Sequence, residues 1–334
     1  MQPIVEELML SYKDIINKID QLEEANILLA ALDFNIFSIL EKKSLPAKQV
    51  ASLTKTKLEG MEVLLNALAA MGVLIKNKNT FRNTPVTYKY LCKSSPDFRI
   101  GTVMLKLDSR GEYENFSKVI KKGRNYKNFE NEDDPKFRNL FTYAMHERSE
   151  LSAYKVADAV NRKKVGKLLD LGCGPGSYTA AILKEDKTAT ATLMDRAAAI
   201  KVARKLCKTQ SVYNRLHFVS GDFFDDELGG GYDTVLMSNI IHIYNATENK
   251  TIFEKINKAL KKGGRFVLYD LFLNNSKTGP YDAALFAITM LLYTKTGKSY
   301  AFGEVESLLR NAGFARIKKT KIGDGSSIVE AIKI

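Results

Sequence analysis

From Val165 onward, short apolar runs alternate with helical stripes, and that alternation restricts the chain to a small set of folds. The runs are KLLDL, ATATLM, LHFVS, TVLMS and RFVLYDL, followed by a closing pair, ARIKKTKI and SIVEAIKI. Helical patterns lie between most of them. Ile252, Phe253, Ile256, Ala259 and Leu260 give one clean apolar stripe, ended by Gly263–Gly264. Strands alternating with helices build α/β folds, because each crossover packs back onto the sheet with one hand. The expectation is a doubly wound, mainly parallel sheet of seven strands with helices on both faces. Ligands on such sheets sit beyond the carboxyl ends of the strands.

The first strand runs directly into Gly172-Cys173-Gly174-Pro175-Gly176, with a helix following from Tyr178. Glycines there let the backbone turn sharply and approach a ligand closely. A dinucleotide site expects G-x-G-x-x-G around a pyrophosphate. This loop is G-x-G-x-G, and it follows Asp170, whose carboxylate repels a diphosphate and suits an ammonium group. A zwitterionic amino-acid nucleoside fits better. Nineteen residues after Gly176 the second strand ends at Met194-Asp195-Arg196. An acid at that tip can accept from ribose hydroxyls. The third strand ends in Ser220-Gly221-Asp222-Phe223-Phe224, where Asp222 can accept from an adenine amino group and Phe223 can stack on the ring.

The chain is 334 residues long, enough for two domains. In the N-terminal part, residues 4–40 read as helices: Ile4, Leu8, Ile15, Ile16 and Ile19 recur at roughly helical spacing, and Ala25–Leu32 is nearly apolar all round. A helix apolar on every face needs partners on every face, which points to a subunit interface. Ser44–Leu91 has the pattern of a winged helix. A short helix begins near Pro46, a second covers Lys57–Met71, and a hairpin follows with its turn at Asn77–Asn79. The second helix carries two glutamates and one lysine, a poor surface for phosphates or base edges. Residues 96–150 are less patterned. The charge runs at Lys118–Lys127 and 131–135 read as solvated loop, and helical periodicity resumes after Pro135, with Phe137, Phe141 and Met145 on one face. The expected division is 1–95, a helical and winged-helix domain; 96–150, a helical linker contributing to a pocket; and 151–334, the α/β domain.

The net charge of +13 is mostly lysine, since only 13 of the 51 basic residues are arginine. Dispersed lysine does not make an organised nucleic-acid surface. Cys92, Cys173 and Cys207 are odd in number and far apart, which fits a reducing compartment without disulfides. MQPIVEELML has no basic segment followed by an apolar one, so no signal peptide is expected. Ala25–Leu40 is interrupted by Asp33 and Asn35 and is too short to span a bilayer. A cytoplasmic, soluble chain is expected, with no bound metal.

LLDLGCGPG, the acid Asp195 and GDFF together resemble the class I S-adenosylmethionine-dependent methyltransferases. The winged-helix N-terminus and the later elements narrow the resemblance to the small-molecule O-methyltransferases, the family of plant caffeate, acetylserotonin and bacterial antibiotic-tailoring enzymes. It covers nearly the whole chain, most strongly 165–275. It implies a Rossmann-like methyltransferase sheet behind a dimerisation domain, an intertwined homodimer, and S-adenosyl-L-methionine as cofactor with S-adenosyl-L-homocysteine as product. The cofactor residues implied are Asp170, Gly172, Gly174, Gly176, Asp195, Arg196, Asp222 and Phe223, with Ser149 near its carboxylate and Ser238 at the rim.

Of the three histidines, His217 lies inside a strand and reads as structural. His242 follows the fourth strand in MSNIIHIYN, at the ligand-bearing edge, where an imidazole can take a proton from a hydroxyl near neutral pH. The resemblance implies that His242 is the catalytic base and that Asp270 orients it, where the family has a glutamate. A second family glutamate falls at Ser299, which cannot act as an acid. Phe137, Phe141, Met145, Phe286 and Met290 are the expected pocket lining and suggest an aromatic or polyketide-like acceptor. N- or S-methyl transfer, non-methylating chemistry on the same cofactor, and a winged-helix DNA-binding regulator remain as alternatives. Nucleic-acid amino-methylation fits less well, because Ser238-Asn239-Ile240-Ile241 stands where such enzymes carry a proline-containing element.

Overall fold

In the computed structural model, which describes residues 10–108, 111, 113–124, 134–323 and 325–334, helix α1 (Tyr12–Asp33) opens the chain. Ser11 caps it: its hydroxyl accepts from the Asp14 N–H while the Asp14 carboxylate accepts from the Ser11 N–H at 2.9 Å. The helix stops at Phe34, and Asn35, at φ 52°, starts α2 (Ile36–Leu40). The region read as helical over 4–40 is therefore two helices, broken at a residue type that tolerates the left-handed conformation; Ile4 and Leu8 lie outside the described residues. Of Ala25–Leu32 only Ala31 is fully buried, and Ile15, Ile19 and Leu22 are 48–66% exposed.

The winged-helix pattern follows as β1 (Leu45–Pro46), α3 (Ala47–Thr54), α4 (Leu58–Ala70), β2 (Leu74–Asn77) and β3 (Thr80–Asn83), then α5 (Pro85–Leu91) and α6 (Ile100–Asp108). Lys78, at φ 50°, makes the hairpin turn. The strand order is β1-β3-β2, antiparallel, and β1 is a third strand that no periodicity announces because it is two residues long. Phe37, Leu40, Val50, Met61, Leu65, Leu68 and Phe81 form the core of this unit. The apolar face of α4 is thus committed to packing.

The second unit, Arg110–Ile334, begins with α7 (Phe116–Lys122), α8 (Pro135–Ser149) and α9 (Ala153–Asn161). The periodic stretch after Pro135 is interrupted at Glu150–Ser152; of the preceding charge runs, Lys118–Lys122, read as loop, belongs to helix α7, while 125–133 lie outside the described residues. Then come β4 (Lys167–Leu171), α10 (Ser177–Glu185), β5 (Thr190–Asp195), α11 (Ala197–Cys207), β6 (Leu216–Ser220), β7 (Tyr232–Ser238), α12 (Ala246–Ala259) and β8 (Leu260–Leu271). The chain closes with α13 (Tyr281–Tyr293), α14 (Phe302–Asn311), β9 (Phe314–Lys321) and β10 (Ser326–Lys333). All seven strands form one sheet in the order β6-β5-β4-β7-β8-β10-β9. Neighbours from β6 to β8 are parallel, and β10 runs antiparallel to both β8 and β9. This is the doubly wound α/β sheet the alternation called for.

The sheet is covered on both faces. One core joins α9, α10 and α11 to the sheet through Val156, Val160, Leu183, Ile200 and Ala203. The other joins α12 and α14 through Ile252, Phe253, Ile256, Val305 and Leu309. Arg265, buried on β8, pairs with Glu330 at 2.9 Å and donates to the carbonyls of Val160 and Lys163, so it ties the sheet to the end of α9. The edge strand β9 carries exposed Arg316, Lys318 and Lys321, charges that discourage strand addition. Because β5 and β6 lie to one side of β4 and β7 to the other, a crevice opens beyond the carboxyl ends of β4, β5 and β7.

Candidate active site

The glycine turn occupies that crevice. Gly172, Gly174 and Gly176 all have positive φ (71°, 51° and 73°), a conformation costly for any other residue. Gly172 and Cys173 donate to the Met194 carbonyl at 2.9 and 3.2 Å, so the loop is fastened to β5. A Cβ at Gly172 would strike Ile240, and one at Gly176 would strike Leu193 at 2.8 Å. At Gly174 it would meet nothing within 4 Å. The outer glycines therefore serve packing, while Gly174 leaves its backbone open to an approaching ligand.

Beneath the loop, Asp170 is 1% exposed. Its Oδ2 accepts from the Thr179 hydroxyl at 2.6 Å, and its Oδ1 has no partner among the described residues. Burial pushes its pKa up to about 7, against the Thr179 hydrogen bond and helped by the charge of Asp195. Asp195 at the end of β5 is also raised by burial, although it accepts from the N–H groups of Gly174 and Arg196, both at 2.7 Å. Two carboxylates held at this crevice, one with an unpaired oxygen, suit a cationic ligand. The ammonium and sulfonium of S-adenosylmethionine match that requirement, and the open backbone at Gly174 matches its close approach.

Two of the other expected cofactor residues are engaged with each other. Arg196 pairs with Asp222 at 3.2 Å, and Asp222 also accepts from the Phe224 N–H at 2.8 Å. Phe223 is buried against Phe224 and, edge-on, Tyr244. Ser149 is buried and donates to the His146 carbonyl at 2.7 Å. Ser238 is buried at the end of β7, and Asn239 follows it at φ 56°. Tyr178, whose burial raises its pKa to about 12, packs edge-on against Tyr269 and accepts from Asn239 at 3.4 Å. His146 reaches Ser177 at 2.8 Å and so links α8 to the first turn of α10.

His242 sits in a single 3₁₀ turn, Ile241–Ile243, directly after β7. Its Nδ1 lies 2.8 and 2.9 Å from the two oxygens of Asp270, near the end of β8. Asp270 also accepts from the Leu271 N–H at 2.7 Å. Since an ionised carboxylate only accepts, Nδ1 is the donor in this pair. Phe286 meets the imidazole edge-on, with ring centres 4.8 Å apart. On α8, Phe137 and Phe141 stack at 6.0 Å, and Met145 is half-buried. Met290 is buried on α13. His217 lies on β6 with its side chain exposed.

Several groups at this site have no motif to announce them. Thr179 is one. Another is Gly297, where a Cβ would collide with the carbonyls of His242 and, at 2.6 Å, Ile243. Gly297→Ala is accordingly expected to destabilise the protein by at least about 2 kcal/mol, the scale of a forced overpacking against backbone, measured by urea denaturation. Asn249 and Tyr300 support the same turn. Asn249 has a signal in retrospect: it is the polar residue on the stripe that continues through Ile252, Phe253 and Ile256.

Residues 108–315 match the O-methyltransferase domain, and residues 19–93 match the O-methyltransferase dimerisation domain. The chain belongs to the O-methyltransferase family. It is an S-adenosylmethionine-dependent O-methyltransferase with the seven-stranded sheet of that class. Among its relatives is the 3-hydroxy-5-methyl-1-naphthoate 3-O-methyltransferase of Streptomyces sahachiroi, 26% identical over 92% of this chain and 91% of that one. The O-methyltransferase family protein of Burkholderia thailandensis has the same fold, with a TM-score of 0.87 at 23% identity over 97% of this chain and 98% of that one. Human N-acetylserotonin methyltransferase, solved in complex with S-adenosylmethionine, gives 0.83 at 21% identity over 99% of each chain. No helix among the described residues of this O-methyltransferase is long and apolar enough to cross a membrane.

Proposed function

We propose that this O-methyltransferase methylates a hydroxyl on an aromatic or polyketide-like small molecule, with His242 as general base. The observation that carries the reading is the buried His242–Asp270 pair, with distances of 2.8 and 2.9 Å, at the ligand-bearing edge of the sheet. Asp270 holds the proton on Nδ1, so Nε2 faces the acceptor hydroxyl as a base and takes its proton as the oxygen attacks. The resulting imidazolium is stabilised by the Asp270 carboxylate. Asp270 is shorter by one methylene than the family's glutamate, yet it reaches the ring.

S-adenosylmethionine, when bound, supplies an electrophilic methyl on a sulfonium. Asp170 would hold its ammonium through the unpaired Oδ1, and the open backbone at Gly174, in a turn that Gly172 and Gly176 let pack tightly, would let its chain lie close. Asp195 keeps lone pairs for the ribose while its present bonds anchor the loop. Arg196, Asp222 and Phe223 would frame the adenine, and Ser149 and Ser238 would border the site. Phe137, Phe141, Met145, Phe286 and Met290 supply flat apolar surface for a ring system, in keeping with the naphthoate acceptor named for the S. sahachiroi relative. Mass analysis of a panel of phenols and hydroxynaphthoates incubated with enzyme and cofactor tests the reading. Methylation at oxygen supports it, and methylation confined to amines or thiols contradicts it.

Residues 1–95 are proposed to pair two copies. The exposed Ile15, Ile19 and Leu22 on α1 are apolar surface that a second copy would cover. Light scattering is expected to give a dimer, and charged residues at Ile15 and Ile19 are expected to shift it to monomer.

A further inference from the structure

The turn that carries His242 has two backbone hydrogen bonds of its own, from the Ile243 N–H to the Ile240 carbonyl at 2.9 Å and from the Tyr244 N–H to the Ile241 carbonyl at 3.4 Å. It is three residues long, and its flanking carbonyls, Ile241 and Tyr244, are bound by side chains from elsewhere. Asn249, one helical turn into α12 and fully buried, donates from Nδ2 to the Ile241 carbonyl at 2.8 Å and to the Tyr244 carbonyl at 3.1 Å. Tyr300, 2% exposed, donates its hydroxyl to the same Tyr244 carbonyl at 2.7 Å and accepts from Asn249 at 3.1 Å. The two amide protons of Asn249 are therefore shared among three acceptors that all belong to this cluster. Its Oδ1 has no partner among the described residues. A buried asparagine that leaves its acceptor unmatched is there for its donors.

The rest of the neighbourhood closes on the turn from the other side. Gly297 presses its backbone against the His242 and Ile243 carbonyls. Its loop is held by Arg124, which donates to the Thr294 and Gly297 carbonyls at 3.0 and 2.5 Å, and by Thr296, bonded to Glu248 at 2.6 Å. Ser299, where the family resemblance expects a second glutamate, is buried, and its hydroxyl has no partner among the described residues. The neighbouring Tyr300 is the side chain that reaches the turn. Burial keeps its phenol protonated, with a pKa of about 12, so it remains a donor.

We propose that Asn249 and Tyr300 are positioning residues for His242: by fixing the carbonyls on both sides of it, they hold the imidazole in register with Asp270 and keep Nε2 toward the acceptor. The proposal rests on the reading of His242 as the base but is tested without an acceptor. The full-length chain has three histidines, so ¹⁵N labelling of histidine gives three resolvable rings whose tautomer and titration can be followed by NMR. In the unmodified protein the neutral His242 ring should carry its proton on Nδ1. Tyr300→Phe keeps the volume and removes the hydroxyl. It should mix the tautomers of His242 and move its titration midpoint by about half a pH unit, a threefold change in the equilibrium, while His146 and His217 stay in place. Asn249→Ala should do the same more strongly, and Asp270→Asn sets the scale for a broken pair. A His242 ring unmoved in Tyr300→Phe but moved in Asp270→Asn overturns the positioning role and leaves the paired base intact. A ring unmoved in both removes the pairing on which the base reading and this one depend.

Discussion

His242→Ala is expected to lower the rate of methyl transfer to a phenolic acceptor by 10² to 10⁴, roughly the contribution of a positioned general base. The loss should fall on the catalytic rate more than on acceptor affinity, because the imidazole acts as the proton leaves and contributes little to ground-state packing. Phe286 is the exception, since its ring edge-on to His242 would face a void in the variant. Asp270→Asn preserves shape while removing the charge that stabilises the imidazolium, so it should lower the rate without opening the void that His242→Ala leaves. The decisive comparison uses acceptors of graded acidity. A phenol already ionised at the assay pH needs no base, and its methylation should be nearly insensitive to His242. Activity within a few-fold of the unmodified enzyme on every acceptor would exclude the role.

The second large effect concerns Asp170. Its pKa of about 7 arises from burial first, and its Oδ1 has no donor among the described residues. A ligand ammonium would bind the ionised form, so binding should drive the proton off. The affinity for S-adenosylhomocysteine is then expected to be flat above pH 7 and to weaken by about tenfold per unit below it, reaching about a hundredfold at pH 5. Asp195, also raised by burial, acts in the same direction. Asp170→Asn should abolish most of that slope and weaken binding at pH 8 by about 10- to 100-fold, the loss of one charge-assisted hydrogen bond. Folding is linked with the opposite sign. An acid whose folded pKa exceeds its unfolded value costs stability once the unfolded chain ionises. The ligand-free protein should therefore lose stability as the pH rises from about 4 to about 7, with no further contribution above that. Titration calorimetry from pH 5 to 8 reads the binding slope, and an affinity independent of pH over that range would contradict the assignment.

The parts of the site legible in the sequence are those made by one strand end and the turn that follows it. Asp170 with its glycines, Asp195 and His242 each sit where a run of apolar residues stops, and a parallel sheet brings such stops to one edge. What cannot be read is how those side chains are partnered. Arg196 and Asp222 look like two separate ligand contacts from their positions, and the fold also pairs them with each other, because the ends of β5 and β6 are neighbours. Ser149 likewise turns back to the His146 carbonyl of its own helix. Tyr300 and Gly297 reach the His242 turn from the loop after α13, and no local pattern encodes a contact over fifty residues; Asn249 is nearer in sequence, marked only by its place on the α12 stripe. In the N-terminal unit the hairpin is legible from its asparagines. The break between α1 and α2 is not, since helical spacing continues across Asn35 while its backbone turns left-handed.

The claim beneath all of this is that the crevice over Gly172–Gly176 receives an adenosyl amino acid. Equilibrium titration of the unmodified protein at pH 8 with S-adenosylmethionine and S-adenosylhomocysteine tests it most directly. Saturable binding of both at one site per chain, weakened by Asp170→Asn, is the expected result. Protein that is folded yet takes up neither compound would contradict it.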